Sequence, residues 1–475
     1  MEVEGKIYIN GEWVGEQLPQ LKVMNPATNE CIGTIKQAGT SETMAAIVAA
    51  NEAFRIWSKK TSHERFHILM KWHDLILQHK QSLAKTITEE MGKPISESIG
   101  EIEYAASFIS WFAEEAKRVY GRNIPSRVRN KRIQVMKQPI GVVAAITPWN
   151  FPAAMLTRKM APALASGCTI VVKPAEETPL TAIKLIELSK EAGISDGVIN
   201  LVTGDAEAIG KELTTNSIVR KLTFTGSTKV GKLLMQQSAK TMQNLSLELG
   251  GHAPAIVCED AKIDKAVDAV ITSKFRNAGQ TCICVNRVYV HHTIYEEFVT
   301  KLIQKVAKLK VGRGLDEQVQ VGPLINKKAY EKVKLHINEA TRRGATVRVG
   351  GEGYVDKGYY FQPTVLIDVT DDMLIMKEET FGPVIPVTSF QSDEEVISRA
   401  NHSCYGLAAY FFTESMARGL HIAEELEYGI IGWNDGAPSM AEAPFGGMKE
   451  SGIGREGGTE GLEAYLETKY ISLGI

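Results

Sequence analysis

The chain has 475 residues, 44% of them hydrophobic and 23% charged, and a net charge of −2. That length predicts two or three lobes around a large core, and the near-neutral balance leaves no footprint for nucleic acid or an anionic membrane surface. Six scattered cysteines, with no CxxC pair and no HExxH helix, argue against a zinc site, so no metal is expected.

The first residues, Met1 to Lys6, lack an apolar signal core, and no apolar run is long enough to span a bilayer; a cytoplasmic chain is expected. Residues 41–118 carry apolar stripes at helical spacing, such as Ala46/Ala49/Ala53/Trp57, which read as packing helices. Residues 119–140 break that pattern. Gly121, Pro125 and Asn130 punctuate short strand-like pieces that suit a hairpin arm. From Gly141 strands alternate with helices: apolar runs fall at 141–146, 168–172, 198–202 and 219–224. Thr178-Pro179 reads as the cap and first turn of one helix, with Gly193 at its end. Repeated β-α units predict an α/β fold, a parallel sheet covered by helices on both faces. A second α/β region follows Gly251, with a strand at 254–258 and a helix (Ile263/Ala266/Val267/Val270/Ile271) ending near Arg276. The tail from Tyr465 is strand-like and, with the 119–140 arm, is the expected subunit contact.

Chemistry-bearing residues cluster at the ends of these elements. Asn150, in Thr147-Pro148-Trp149-Asn150-Phe151-Pro152, has a restrained backbone that suits either a fixed oxyanion donor or a turn-satisfying amide. Lys173 and Glu176 close a strand, where open α/β sheets bind ligands. They can hold the ribose hydroxyls of a nucleotide or form a surface ion pair. Gly226 and Ser227, in Phe224-Thr225-Gly226-Ser227-Thr228-Lys229-Val230-Gly231, open a helix after a strand. The glycines let backbone approach a phosphate, although the run is not GxGxxG. Glu248-Leu249-Gly250-Gly251 offers a carboxylate beside a mobile Gly pair. Gly279-Gln280-Thr281-Cys282-Ile283-Cys284 offers a thiol on a Gly-flanked turn. Together those two suggest thioester chemistry with an activated water. Glu379 and Phe381 stand before a rigid Gly382-Pro383 turn.

In that order these residues resemble the NAD(P)-dependent aldehyde dehydrogenase superfamily, from about Asn25 to the C-terminus. The nearest branch is the succinate-semialdehyde dehydrogenases, on Met155-Leu156-Thr157-Arg158-Lys159, Phe275-Arg276-Asn277-Ala278-Gly279-Gln280-Thr281-Cys282-Ile283-Cys284 and Gly454-Arg455-Glu456-Gly457-Gly458. The resemblance implies a Rossmann-like cofactor domain with a five-stranded sheet (1–120 and 141–250), a catalytic domain (251–448), and a β-hairpin oligomerisation arm with the C-terminal tail (121–140 and 449–475). It implies Cys282 as nucleophile, Glu248 as base and Asn150 as oxyanion donor. Trp149, Lys173, Glu176, Gly226, Ser227, Glu379 and Phe381 would hold NAD or NADP, with NAD favoured by the carboxylate of Glu176. Arg158, Arg276 and Ser439 match the pocket for a substrate carboxylate, and Cys284 a redox partner for Cys282. The expected reaction is oxidation of succinate semialdehyde to succinate by a homotetramer or homodimer. Glutarate semialdehyde is the alternative substrate, and a broad-range or betaine-type dehydrogenase or a non-redox thiol protein on this fold the competing readings.

Overall fold

The computed structural model describes residues 3–355 and 357–475. Its first sheet has eight strands. Five are parallel, in the spatial order Asn244–Glu248, Val219–Thr225, Val142–Ile146, Thr169–Lys173, Ile199–Leu201. These are the five the resemblance implies. The expected set lacks the antiparallel additions at both edges: Gly452–Ile453 on Leu247 and Glu248, and a hairpin of Ile7–Ile9 and Glu12–Val14 on Leu201. From Val142–Ile146 the chain winds outward one way through Thr169–Lys173, then returns to lay Val219–Thr225 on the other side. That reversal opens a crevice beyond the carboxyl ends of two adjacent strands, the usual ligand position in such sheets.

Helices cover both faces. On one, every residue of Ala154–Ser166 is buried between the sheet and the helix Ile95–Glu115. Trp57 and Trp72, from the helical N-terminal region, are buried there with their indole N–H groups donated to the carbonyls of Leu164 (3.2 Å) and Leu185 (3.1 Å). A buried tryptophan needs such an acceptor. Helix Leu180–Glu191 begins as expected after Pro179, but Thr178 does not cap it: its hydroxyl donates to the carbonyl of Trp149. The orphan N–H groups of Leu180 and Thr181 go instead to the buried carboxyl of Glu90, whose pKa burial pushes up to about 8.

The second sheet has seven strands and its own core. Ala253–Val257 lies near its centre, flanked by Val285–His291 and Ala408–Phe412. All neighbours run parallel except Thr346–Val349 at one edge. Arg122–Ile124, Lys131–Pro139 and the tail strand Leu466–Gly474 form a separate antiparallel sheet. The expectation that residues 449–475 all belong with this arm is corrected. Met448–Lys449 pairs with Tyr405–Gly406, Gly452–Ile453 joins the first sheet, and Glu456 is buried beneath it, so the arm's share begins at Leu466.

Candidate active site

Helix Ile263–Phe275 ends at Arg276, and the next three residues turn left-handed: Asn277 (φ 54°), Ala278 (φ 54°) and Gly279 (φ 75°). Two non-glycine residues in that region store strain, which persists only where neighbours over-determine it. Here they do. Glu97 accepts the Asn277 N–H (2.8 Å), and the Asn277 amide donates to the carbonyls of Asn150 (3.0 Å) and Gln280 (3.2 Å). The Gln280 side chain ties Asn277 to Pro323 and Ile325. The reversed chain then presents Cys282 just ahead of strand Val285–His291.

Close glycine contacts seat the other loops against it. A Cβ on Gly251 would lie 2.2 Å from the Cys282 carbonyl oxygen, and one on Gly279 2.3 Å from that of Gly382. The Gly251 N–H donates to Glu379 (3.0 Å), whose enclosure pushes its carboxyl up to about 7. Phe381, itself left-handed (φ 55°), meets Trp149 edge-on with centroids 5.6 Å apart. The result is one cavity of about 400 Å³ with Cys282 and Asn150 in its wall.

Burial pushes the Cys282 thiol up to about 12. Arg158 pulls it down, while Glu379, Glu248 and Cys284 oppose ionisation. Asn150 is buried, and its side-chain amide donates to the Gln280 carbonyl (3.0 Å). Glu248, the last residue of its strand, does not line the cavity. Its carboxyl is buried without a hydrogen-bond partner and points to Gly446, where a Cβ would be 2.9 Å from Oε1. Burial, then the charge of Glu456, push it well above the ordinary carboxylate range, against the pull of Arg158, Lys159 and Arg455. From this position the Glu248 carboxyl must swing to enter the cavity.

The two arginines differ. Arg158 lines the cavity over the Phe445 ring (4.3 Å), but its Nε lies 2.5 Å from Glu456, which also binds Lys159. It is a buried, paired cation rather than a solvated helix face, with Nη1 left unpartnered. Arg276 is half-buried beside the Phe151 ring (5.3 Å) and, among the described residues, makes no hydrogen bond or ion pair. Ser439 joins them through its hydroxyl, 2.6 Å from that of Tyr104. Sequence reading missed Tyr104, which stands on a helix face that looked like packing surface.

The other end of the cavity carries groups that suit a phosphate. Gly226 and Ser227 line it at the sheet's reversal, where Ser227 caps helix Thr228–Ser238 through the Val230 N–H. The remaining free N–H groups of that helix suit phosphate. A Cβ at Gly226 would strike the Phe224 ring at 2.4 Å, so this surface stays bare. Lys173 and Glu176 form a close ion pair at their strand end, outside the cavity lining, while Glu177, unremarked in the sequence, lines it. Cys284 is fully buried away from the cavity, with Lys274 Nζ 3.7 Å from its sulfur and its thiol directed to the Gly279 carbonyl (3.3 Å). Pairing it with Cys282 requires the loop to remodel. No group of three or more potential metal ligands occurs among the described residues.

The aldehyde dehydrogenase family profile matches residues 13–471. The chain is 53% identical over 468 residues to the NADP(+)-named succinate-semialdehyde dehydrogenase of Escherichia coli, covering 98% of this chain and 97% of that one. It is 53% identical over 469 residues to the glutarate-semialdehyde dehydrogenase of Pseudomonas putida, with the same coverage. The crystal structure of succinate-semialdehyde dehydrogenase from Burkholderia pseudomallei superposes with a TM-score of 0.98 at 51% identity, covering 100% of this chain and 98% of that one.

The raised thiol pKa has a direct readout. Alkylation by iodoacetamide needs the thiolate, so in cofactor-free protein modification of the Cys282 peptide is expected to accelerate about tenfold per pH unit from about pH 6 to about pH 9 without a plateau. Peptide mass spectrometry separates it from the exposed Cys404. A curve that bends towards a plateau between about pH 8 and about pH 9 would show a thiol near its ordinary pKa.

Proposed function

We propose that this chain, which belongs to the aldehyde dehydrogenase family, oxidises succinate semialdehyde to succinate through a thioester on Cys282, with NAD(P) as hydride acceptor. The observation that carries the substrate assignment is Arg276: a guanidinium in the same cavity as the nucleophile that, among the described residues, makes no hydrogen bond or ion pair, although it feels the charge of Glu97. Such a group is costly to leave half-desolvated unless an anion arrives, and it grips a carboxylate two-pronged. Arg158 Nη1 and the Tyr104–Ser439 hydroxyl pair complete that end of the pocket.

The chain's own groups account for the rest. Cys282, as the thiolate left after its proton passes to solvent, attacks the aldehyde carbon, and the Asn150 amide, released from Gln280, donates to the developing oxyanion together with the Cys282 N–H. NAD(P), when bound at the Gly226–Ser227 end of the cavity, would supply the hydride acceptor for the adduct held on Cys282. Glu248 then swings from beneath Gly446, accepts a proton from water and so hydrolyses the thioester. Its raised pKa makes this limb base-promoted: protonated Glu248 cannot accept, so hydrolysis quickens as pH rises. We assign Glu176 to the cofactor ribose, where its charge disfavours a 2′-phosphate. The six free cysteines suit a reducing cytoplasm.

One kinetic panel tests substrate and cofactor together: succinate semialdehyde, glutarate semialdehyde and pentanal, each with NAD and NADP. Succinate semialdehyde is expected to give the highest kcat/KM. Charged hydrogen bonds contribute about 1.5–3 kcal/mol, so Arg276→Ala should lower kcat/KM for the carboxylated substrates about ten- to a hundredfold and leave pentanal within about threefold. Arg158→Ala should lower all three, because it also strips a partner from buried Glu456. Glu176→Ser should raise the NADP-to-NAD ratio. Equal losses across substrates for Arg276→Ala would remove the basis of the semialdehyde reading.

We further propose that the three-stranded arm joins copies of this chain into a homodimer or homotetramer. Its support is a run of exposed apolar side chains on that one sheet: Ile124, Met136, Tyr470 (61% exposed) and Leu473. The register puts Ile124 with Tyr470 on one face and Met136 with Leu473 on the other, so both faces of this isolated sheet expose apolar side chains that call for a cover. Sedimentation is expected to give a dimer or tetramer that Tyr470→Asp with Met136→Asp dissociates; a monomeric wild type at micromolar concentration would refute the assembly.

A further inference from the structure

Lys93 does not line the cavity, and its ammonium is fully buried. It lies between helix Lys80–Met91 and helix Ile95–Glu115, where the backbone is immobilised. A Cβ on Gly314 would be 2.2 Å from the Lys93 carbonyl oxygen, one on Gly322 2.2 Å from that of Gly92, and Ile95 N–H donates to Gly314 (2.8 Å). From this fixed root Nζ reaches three groups: Glu101 Oε2 at 2.5 Å, the backbone carbonyl of Asn150 at 2.7 Å, and the face of Phe151 at 3.7 Å. Glu101 uses its other oxygen to accept the N–H groups of Ala153 and Ala154, at the start of the helix that carries Arg158. The Asn150 carbonyl takes a second donor, the Asn277 amide.

Both lone pairs of that carbonyl are therefore occupied, one from each side of the crevice. The peptide plane following Asn150 cannot rotate without stranding a buried ammonium. Burial lowers the Lys93 pKa, against the charge and hydrogen bond of Glu101 and the charge of Glu97, so the pair is expensive for the fold. A buried ion pair is weak evidence for stability, which leaves geometry as its contribution. We infer that Lys93, backed by Glu101, is a positioning residue for the oxidation: it locks the Asn150 backbone so that the side-chain amide meets the oxyanion formed at Cys282. This rests on Asn150 as the oxyanion donor proposed above.

The test is a double-mutant cycle of Lys93→Met, Asn150→Ala and the combination, with succinate semialdehyde and saturating NAD. Removing an oxyanion donor costs about a hundred- to a thousandfold in kcat, so Asn150→Ala is expected in that range. Lys93→Met is expected to lower kcat at least about tenfold while KM moves by less than about threefold. In the Asn150→Ala background it should cost less than about threefold more, because there is no amide left to aim. A merely structural lysine would lower thermal stability but multiply through both backgrounds alike. Lys93→Gln, which retains an N–H donor and no charge, should recover part of kcat and replaces Lys93→Met in the cycle if the latter does not fold. Wild-type kcat in the Lys93 variants, or full multiplicative losses, overturns the inference. Undiminished kcat in Asn150→Ala alone would instead overturn the oxyanion assignment.

Discussion

A single Cβ at Gly251 would collide with the Cys282 carbonyl at 2.2 Å, and one at Gly279 with the Gly382 carbonyl at 2.3 Å. Backbone lying directly on backbone, where no side chain fits, is the constraint from which the site follows. It brings a loop of the eight-stranded sheet, the nucleophile turn and the Glu379–Phe381 loop to one place, although they come from two separate cores. The left-handed Asn277 and Ala278 are the strain that this approach demands, and Glu97 and Gln280 are the groups that hold it. Packing at this density leaves each loop one position, which is what a nucleophile aimed at a carbonyl carbon requires.

Charge is organised around that junction in two buried clusters. Lys93 with Glu101 braces the Asn150 side, and Arg158 and Lys159 with Glu456 brace the Glu248 side. Each costs desolvation, and each sits one residue away from chemistry. The second cluster also ties the C-terminal segment into the first sheet, since Glu456 follows directly on the strand Gly452–Ile453. Burial, then the Glu456 charge, raise the Glu248 carboxyl, while Arg158 pulls the Cys282 thiol down. The Arg158 guanidinium thus bears on both Glu248 and Cys282.

What was legible in the sequence was local. Gly pairs, a Pro-bounded Asn and a thiol on a Gly turn mark short-range geometry, and the cavity gathers Asn150, Cys282, Gly226, Glu379 and Phe381 as those motifs suggest. Four of the five parallel strands were readable from buried apolar runs for the same reason; the fifth, Asn244–Glu248, was not. Contacts between distant residues were not. Glu90 capping the helix that Thr178 seemed to cap, Glu456 occupying Arg158, and Tyr104 facing Ser439 each join segments far apart in the chain. A helical stripe around Tyr104, or a charged residue in a Gly-rich tail, carries no periodic mark of such a partner. The edge strands added to the first sheet were invisible likewise, being too short for alternation to show.

The central claim is covalent: a carboxylated aldehyde becomes a thioester on Cys282 that Glu248 is needed to release. Mass spectrometry of the Glu248→Gln variant after brief reaction with succinate semialdehyde and NAD tests it directly. The account predicts a mass gain of one succinyl group, localised to the peptide containing Cys282, and its absence from Cys282→Ala/Glu248→Gln. An unmodified Glu248→Gln protein that still turns over substrate, or an acyl group on any other residue, would contradict it.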